Sequence, residues 1–274
     1  RSPRRLRCPR REPISATNCS VTRLGYPMTE EINPFQASPI EAGRHEHERS
    51  FVHPYASGQT RARWTILLTA LSALLNVAFV ASSSLQIQLL HTSMRSSRPN
   101  AQSLIWNDLR QTVIVRAEIV VSVAAFVAFL MWMYRAYGNL PALGAERLRF
   151  SAGWAVGYFF IPILSFFRPY QAAREIWMGS DPGRLPGSDR AVSPPTTVGW
   201  WWAAWLLSGI FGGLVAAMAG EARSARELVD ATWWLIYGEI VAVVAALLLI
   251  RMVRAIDKNQ TARHNLLQAA SQDD

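Results

Sequence analysis

The sequence predicts an all-α, polytopic membrane bundle with four spans and one proline-broken segment that enters the membrane without crossing it. Hydrophobic residues make up 50% of the 274 residues and are gathered into blocks that carry almost no charge. A soluble domain would interleave polar residues at helical or strand period. Four of the blocks reach about 20 residues, the length that crosses roughly 30 Å of hydrocarbon. A further charge-free stretch is interrupted by a proline.

The first 63 residues are predicted to form a disordered polar tail, because they show no sustained apolar period. Residues 1–27 contain seven arginines and one acid, and so contribute +6 of the net charge of +9. We expect translation to begin at Met28, which would leave no cysteine and a net charge of +3. The alternative is a basic arm attracted to anionic lipid or nucleic acid, although no nucleic-acid partner is expected. His45 and His47 do not fit H-E-x-x-H, so neither a metal nor a cofactor is expected.

The transmembrane domain is predicted to cover residues 64–253. Its four spans are expected at about residues 64–86, 113–134, 199–219 and 232–253, with a polar loop from about residue 91 to residue 111 between the first two. Tryptophans stand near the ends of these spans, as is typical of aromatic belts at membrane interfaces. Residues 254–274 are predicted to be a polar tail, helical at first.

The stretch at residues 150–178 decides the topology. It carries no charge from Phe150 to Phe167, but Pro162 interrupts it and Arg168 and Pro169 end it. Proline removes a backbone donor and clashes with the preceding turn, so a broken helix is expected there. A short amphipathic helix should follow from Tyr170. The alternative is a fifth span. The candidate functional residues of this segment are Trp154, Pro162, Ser165, Arg168, Pro169 and Tyr170.

The distribution of positive charge favours the re-entrant or interfacial interpretation, because cytoplasmic loops carry an excess of Lys and Arg. With four spans and both termini cytoplasmic, the loops and tails from residue 61 onward place 13 basic residues inside and 5 outside. A fifth span would divide the same residues 7 against 11. We therefore expect a multi-pass protein of the bacterial inner membrane with both termini in the cytoplasm.

The centre of the chain resembles a known family. The residues that carry the resemblance are Trp132, Tyr134-Arg135-Ala136, Asn139-Leu140 and Leu143-Gly144, followed by GWAVGYFFIP and PYQAAREIW. They resemble the bacterial membrane proteins grouped as domain of unknown function 4328. The resemblance extends over about residues 63–253 and implies several spans, without an established reaction. Ala152 and Ser165 depart from the expected proline and asparagine. If an asparagine amide caps the broken helix in relatives, Ser165 would do so with a shorter reach.

Polar groups inside the spans are the other candidates, because ionisable residues are costly in hydrocarbon. They are Asn76, Arg116, Glu118 and Glu239, all expected in the outer half of the bilayer. One interpretation is that Arg116 and Glu118 reach the surface while Glu239 is a satisfied packing contact. The other is a polar pocket that binds a small ligand or relays protons. A flexible arginine could also reach Glu239 and neutralise it.

Taken together, the sequence predicts a non-catalytic membrane protein that acts in assembly, sensing or envelope maintenance. The alternative is a small-solute transporter or channel with an intramembrane polar site. No H-E-x-x-H, G-x-S-x-G or P-loop is present, so no enzyme activity is expected. Membrane lipids are the expected partners. Gly209 and Gly213 permit either close packing inside the bundle or self-association.

Overall fold

The fold is a bundle of four long helices with a short re-entrant segment, seen in a computed structural model that describes residues 54–95, 101–145, 147–183, 196–221 and 224–272. The tail at residues 1–53, with Met28 and His45, lies outside these residues. The long helices are α1 (Gln59–Arg95), α2 (Ala101–Gly138), α5 (Thr196–Glu221) and α6 (Ala225–Ala270). The short helices are α3 (Ala152–Gly157) and α4 (Arg168–Gly179), and no strand occurs in the described ranges.

Each long helix contains one of the four predicted spans, and each is long and apolar enough to cross a membrane. The helices extend beyond the apolar blocks. α1 and α2 continue through most of the predicted loop at residues 91–111, and α6 continues to Ala270 through the predicted tail. These extensions form because the flanking residues include good helix formers and no proline or glycine.

The helices pack in the order α2, α1, α6, α5, each against the next. Since α1 runs from the arginine-rich end of the bundle, its neighbours α2 and α6 run toward that end. We call this the basic end; it carries residues 54–63, 135–150 and 251–272. The opposite end carries residues 86–95, 101–112 and 224–230.

The basic end holds the densest core of the described bundle. Side chains from α2, α5 and α6 are almost completely buried there, among them Trp132, Met133, Val198, Trp201 and Met252. Within a membrane such packing is stabilised by van der Waals contact between the helices rather than by removal of apolar surface from water. This end of the bundle is therefore closed.

A buried polar network ties the basic end together. The Asn139 side-chain amide donates to Ala56 O at 3.0 Å and to Gln260 Oε1 at 3.2 Å. The Gln260 amide in turn donates to Ala136 O at 2.8 Å and to Ser180 Oγ at 3.1 Å. Residues 54–63 and 254–270, predicted as tails, thus belong to the folded unit. They are ordered because their polar groups complete hydrogen bonds that the helix ends leave open.

Candidate functional site

The segment at residues 150–167 enters the bundle and returns to the basic end. Ser151 has an extended backbone and its Oγ accepts a hydrogen bond from Trp154 N at 3.3 Å, which starts α3. The helix ends at Gly157, and Ile161 is extended (φ −101°, ψ 112°), as expected of a residue before proline. The Ser165 hydroxyl donates to Pro162 O at 2.6 Å and stabilises the turn.

The two ends of this segment lie side by side. The Arg168 guanidinium lies over the rings of Phe150 and Tyr158, at 5.6 and 5.8 Å from their centroids. Pro169 occupies the first turn of α4, where a missing backbone donor costs nothing. The re-entrant topology follows directly, because a crossing segment would place Phe150 and Arg168 about 25 Å or more apart.

The tip of the segment reaches deep into the bundle. The Phe159 ring contacts Phe126 and Phe129 of α2, with centroids 5.7 and 5.8 Å apart, and Trp205 of α5 at 6.2 Å. Phe126 lies about 18 Å along α2 from Gly138 at 1.5 Å per residue. The Trp202 indole donates to Phe166 O at 3.0 Å, which holds the returning half of the segment against α5.

Most residues that sequence reasoning selected in this segment support its shape. Trp154 stacks near Tyr158 at 5.3 Å, Pro169 is buried, and Tyr170 packs at the edge of the basic-end core. None of these three borders the central cavity described below. The residue of the segment that does so is Phe159, which the sequence did not single out.

Above the Phe159 tip, the centre of the bundle contains a cavity of about 530 Å³. All four long helices contribute to its wall, and it extends along α6 from Leu235 to Leu249, about 21 Å at helical rise. The α5 and α6 sides are lined largely by small residues, which leave the space unfilled. These are Gly209, Gly212, Ala216, Gly238, Ala242, Ala245 and Ala246.

Three of the four predicted polar residues meet in this cavity. Asn76, Glu118 and Glu239 all line it, from α1, α2 and α6 respectively. The two carboxyl groups are close enough to interact electrostatically. Arg116 is exposed on a different face of α2 and does not line the cavity, and no pairing of Arg116 with Glu239 is seen.

Glu118 is held by a short chain of hydroxyl groups. Ser122 Oγ donates to Glu118 Oε1 at 2.5 Å, and Ser72 Oγ lies 2.9 Å from Ser122 Oγ. A hydroxyl has one proton to donate, so Ser72 donates to Ser122 while Ser122 donates to Glu118. Glu239 has no such support, since no hydrogen bond or ion pair joins it to another residue of the described ranges.

Two further polar groups in the wall lack partners. Asn76 Oδ1 and Thr69 Oγ1 are buried and make no hydrogen bond with the described protein, although each residue lines the cavity and is 5% exposed. A buried polar atom without a partner costs about 1–3 kcal/mol. Their spacing could have revealed this face, because Thr69, Ser72 and Asn76 recur at helical intervals within an apolar span.

The predicted close packing at Gly209 and Gly213 is not observed. A Cβ at either position would meet no atom within 4 Å, and Gly209 borders the cavity. Close approach occurs instead at Gly238, where a Cβ would lie 2.9 Å from Phe211 Cβ, and this allows α5 and α6 to touch.

Four membrane-length helices, a cavity between them that two carboxyl groups line, and a re-entrant segment define a multi-pass α-helical membrane protein. The family model described as "Domain of unknown function (DUF4328)" matches residues 95–258, so the chain belongs to this family. The match covers α2, the re-entrant segment, α5 and most of α6, and it confirms the resemblance found in the sequence. No curated protein and no solved structure matches the chain.

Proposed function

We propose that this membrane protein binds a small cationic solute in the cavity at the centre of its bundle and carries it across the membrane. The observation that supports the proposal most directly is the charge of the cavity wall. Glu118 and Glu239 both line it, and none of the described lining residues is a lysine, arginine or histidine. An ionised carboxylate inside a membrane is costly unless a cation compensates its charge or a proton neutralises it, and such groups mark ion and substrate pathways.

The remainder of the wall favours an organic cation with an apolar body. Aromatic rings surround the end of the cavity nearest the basic end: those of Phe126, Phe129, Phe159, Trp201 and Trp205. Aromatic faces attract cations, most strongly where water is excluded. The volume of about 530 Å³ lies within the usual range for small-molecule pockets. A bound solute could also satisfy Asn76 Oδ1.

The proposal is one of binding and transport rather than catalysis. No histidine, the side chain that most often acts as general base, and no cysteine occurs among the described lining residues. Roles in assembly, sensing or envelope maintenance stay predictions. The cavity favours the transport alternative over assembly and envelope maintenance, because those two roles do not call for charged groups inside the bundle; transport and sensing are separated by the vesicle experiment below.

We further propose that the protein resides in a bacterial inner membrane with its basic end and both termini in the cytoplasm. The arginine distribution supports this orientation, and the return of residues 150–167 to the basic end is the topology that the 13-to-5 count requires. Self-association is a separate proposal; it would use Gly213, beside which a Cβ meets no atom within 4 Å.

Equilibrium binding of tetraphenylphosphonium to the detergent-purified protein tests the central proposal. We expect saturable binding that Glu239→Gln and Glu118→Gln each weaken by about tenfold or more, since the attraction of two opposite unit charges about 6 Å apart is roughly 3 kcal/mol at an effective dielectric constant of about 20. Asp230→Asn is the matched control, because it removes the same charge from an exposed position of α6. Neutral triphenylphosphine oxide should bind poorly. Saturable binding that survives in the Glu118→Gln/Glu239→Gln double variant would contradict the proposal.

Reconstituted vesicles distinguish a carrier from a protein that binds without transport. Tetraphenylphosphonium uptake into vesicles with the wild-type protein should exceed uptake into empty vesicles and should fall in the Glu239→Gln variant. Binding in detergent without any protein-dependent uptake would favour a sensing role for the same cavity.

A further inference from the structure

A second concave site lies at the surface of the bundle, separate from the central cavity. It is a groove of about 430 Å³ between α1 and α6 at the basic end, and it shares no lining residue with the cavity. Its polar lining includes Arg63 from α1 and Arg254, Asp257 and Lys258 from α6. The groove and the proposed transport site are therefore formed by different residues.

The charge of the groove is strongly positive. Arg63, Arg254 and Lys258 are all exposed, so three cations face one carboxylate. Asp257 interacts electrostatically with Arg63. Neither Arg254 nor Lys258 forms an ion pair with a carboxylate of the described chain. The groove thus carries a net charge of +2, which suits a phosphate group, and arginine pairs with phosphate through two parallel hydrogen bonds.

The position of the groove at the membrane boundary indicates where such a phosphate would come from. Arg63 directly precedes the apolar block that begins at Trp64, and Arg254 directly follows the block that ends at Val253. Phosphates of membrane lipids lie at this level, beside the ends of transmembrane helices. A free phosphate would not require a site at this depth.

The surfaces that continue from the groove into the membrane fit acyl chains. Leu67 and Leu71 lie one and two turns from Arg63 on the same face of α1, and Leu247 lies two turns from Arg254 on α6. Leu67 is 60% exposed and Leu247 58% exposed. A lipid could therefore place its phosphate in the groove and its chains along these leucines.

We propose that the groove between α1 and α6 binds the phosphate of an anionic membrane lipid. Arg254 and Lys258 provide the two unpaired charges, and Arg63 closes the groove from α1. Gln59 lines the same groove one turn from Arg63 and offers a side-chain amide to a remaining phosphate oxygen. Binding would join α1 to α6 at the end of the bundle that the re-entrant segment also occupies.

Native mass spectrometry and thermal unfolding of the full-length, detergent-purified protein test this site. With phosphatidylglycerol, the wild-type protein should retain bound lipid and unfold at a higher temperature than with zwitterionic phosphatidylcholine. Arg254→Gln/Lys258→Gln should weaken lipid retention by about twenty-five-fold, the product of roughly fivefold for each surface charge. The control, Arg147→Gln/Arg174→Gln, removes two exposed arginines at the same end that do not line the groove.

Two outcomes would overturn the proposal. Equal retention of phosphatidylglycerol by wild-type protein and by Arg254→Gln/Lys258→Gln would show that the lipid binds elsewhere. Stabilisation by millimolar inorganic phosphate equal to that by phosphatidylglycerol, and lost in the same variant, would assign the groove to a free phosphate. Both groove substitutions are at exposed positions, and circular dichroism confirms that the variant is folded before either comparison. Tetraphenylphosphonium binding should be unchanged in the variant.

Discussion

Two buried asparagines show how differently the two parts of the bundle are built. Asn139, at the basic end, is 1% exposed and bonds through both its oxygen and its nitrogen to Ala56 and Gln260. Asn76, in the cavity, is 5% exposed, and its oxygen has no partner in the described chain. The same type of side chain completes a hydrogen-bond network at the basic end and has an acceptor without a hydrogen bond in the cavity.

This difference extends to the surroundings of each residue. The basic end fills its interior with tryptophan, methionine and leucine, and its buried amides satisfy one another. The cavity region uses glycine and alanine on α5 and α6 and exposes two carboxyl groups to the space that remains. Fully satisfied polar networks rigidify a structure, whereas buried unsatisfied groups mark places where a ligand can contribute the missing bonds. One region therefore stabilises the fold and the other is available for binding.

The largest effect on stability is expected at the satisfied asparagine. Asn139→Leu removes both contacts to Ala56 and leaves Gln260 Oε1 without its donor, which should lower the free energy of unfolding by about 2–3 kcal/mol. Thermal unfolding in detergent, followed by circular dichroism, measures the change. A loss below about 1 kcal/mol would mean that water replaces the lost bonds, and the basic end would then be less closed than its burial indicates.

A smaller effect is expected from glycines on the facing helices α5 and α6. Gly238→Ala places a Cβ 2.9 Å from Phe211 Cβ, an atom fixed close to the backbone, so the two helices must move apart. We expect a loss of about 1–2 kcal/mol, as for other overpacked contacts. Gly212→Ala is the matched control, because its Cβ meets nothing within 4 Å. The control should be neutral or stabilise the helix by up to about 1 kcal/mol. Equal effects of the two substitutions would contradict the helix contact.

Much of the fold could be predicted from the sequence because hydrocarbon imposes a simple rule on it. Blocks of about 20 apolar residues identify the spans, and Pro162 with its flanking arginines identifies the segment that turns back. The helix ends could not be predicted in this way. The sequence places Gln260 and Arg263 in a polar tail, yet both are buried because the end of α4 packs against them and, for Gln260, the end of α2 as well. That burial depends on tertiary contacts that a local pattern does not contain.

The sequence could identify the charged residues of the candidate site, but not its other residues. Glu118 and Glu239 stand out because charge is costly inside a span. Ser72 and Ser122 do not, since a helical hydroxyl can bond to its own backbone four residues earlier and needs no partner. Phe159 could not be selected because its place in the wall depends on how residues 158–167 turn at the tip. Arg116 was selected for its charge, and its position on the α2 surface separates it from the cavity.

The smallest effect on stability, with a clear effect on binding, is expected at the unsatisfied asparagine. Asn76→Leu removes a buried oxygen that has no partner and keeps the number and branching of the side-chain heavy atoms, and its greater bulk borders the open space of the cavity. The free energy of unfolding should therefore change by less than about 1 kcal/mol or increase. Affinity for tetraphenylphosphonium should change by less than about fivefold, because this probe cannot donate a hydrogen bond. The affinity for a cation with an N–H group, such as benzylammonium, should fall further, because Asn76 Oδ1 can accept a hydrogen bond from that group in the wild-type protein. If Asn76→Leu destabilised the protein as strongly as Asn139→Leu, Asn76 would be part of the structural network, and the distinction between the two regions would fail.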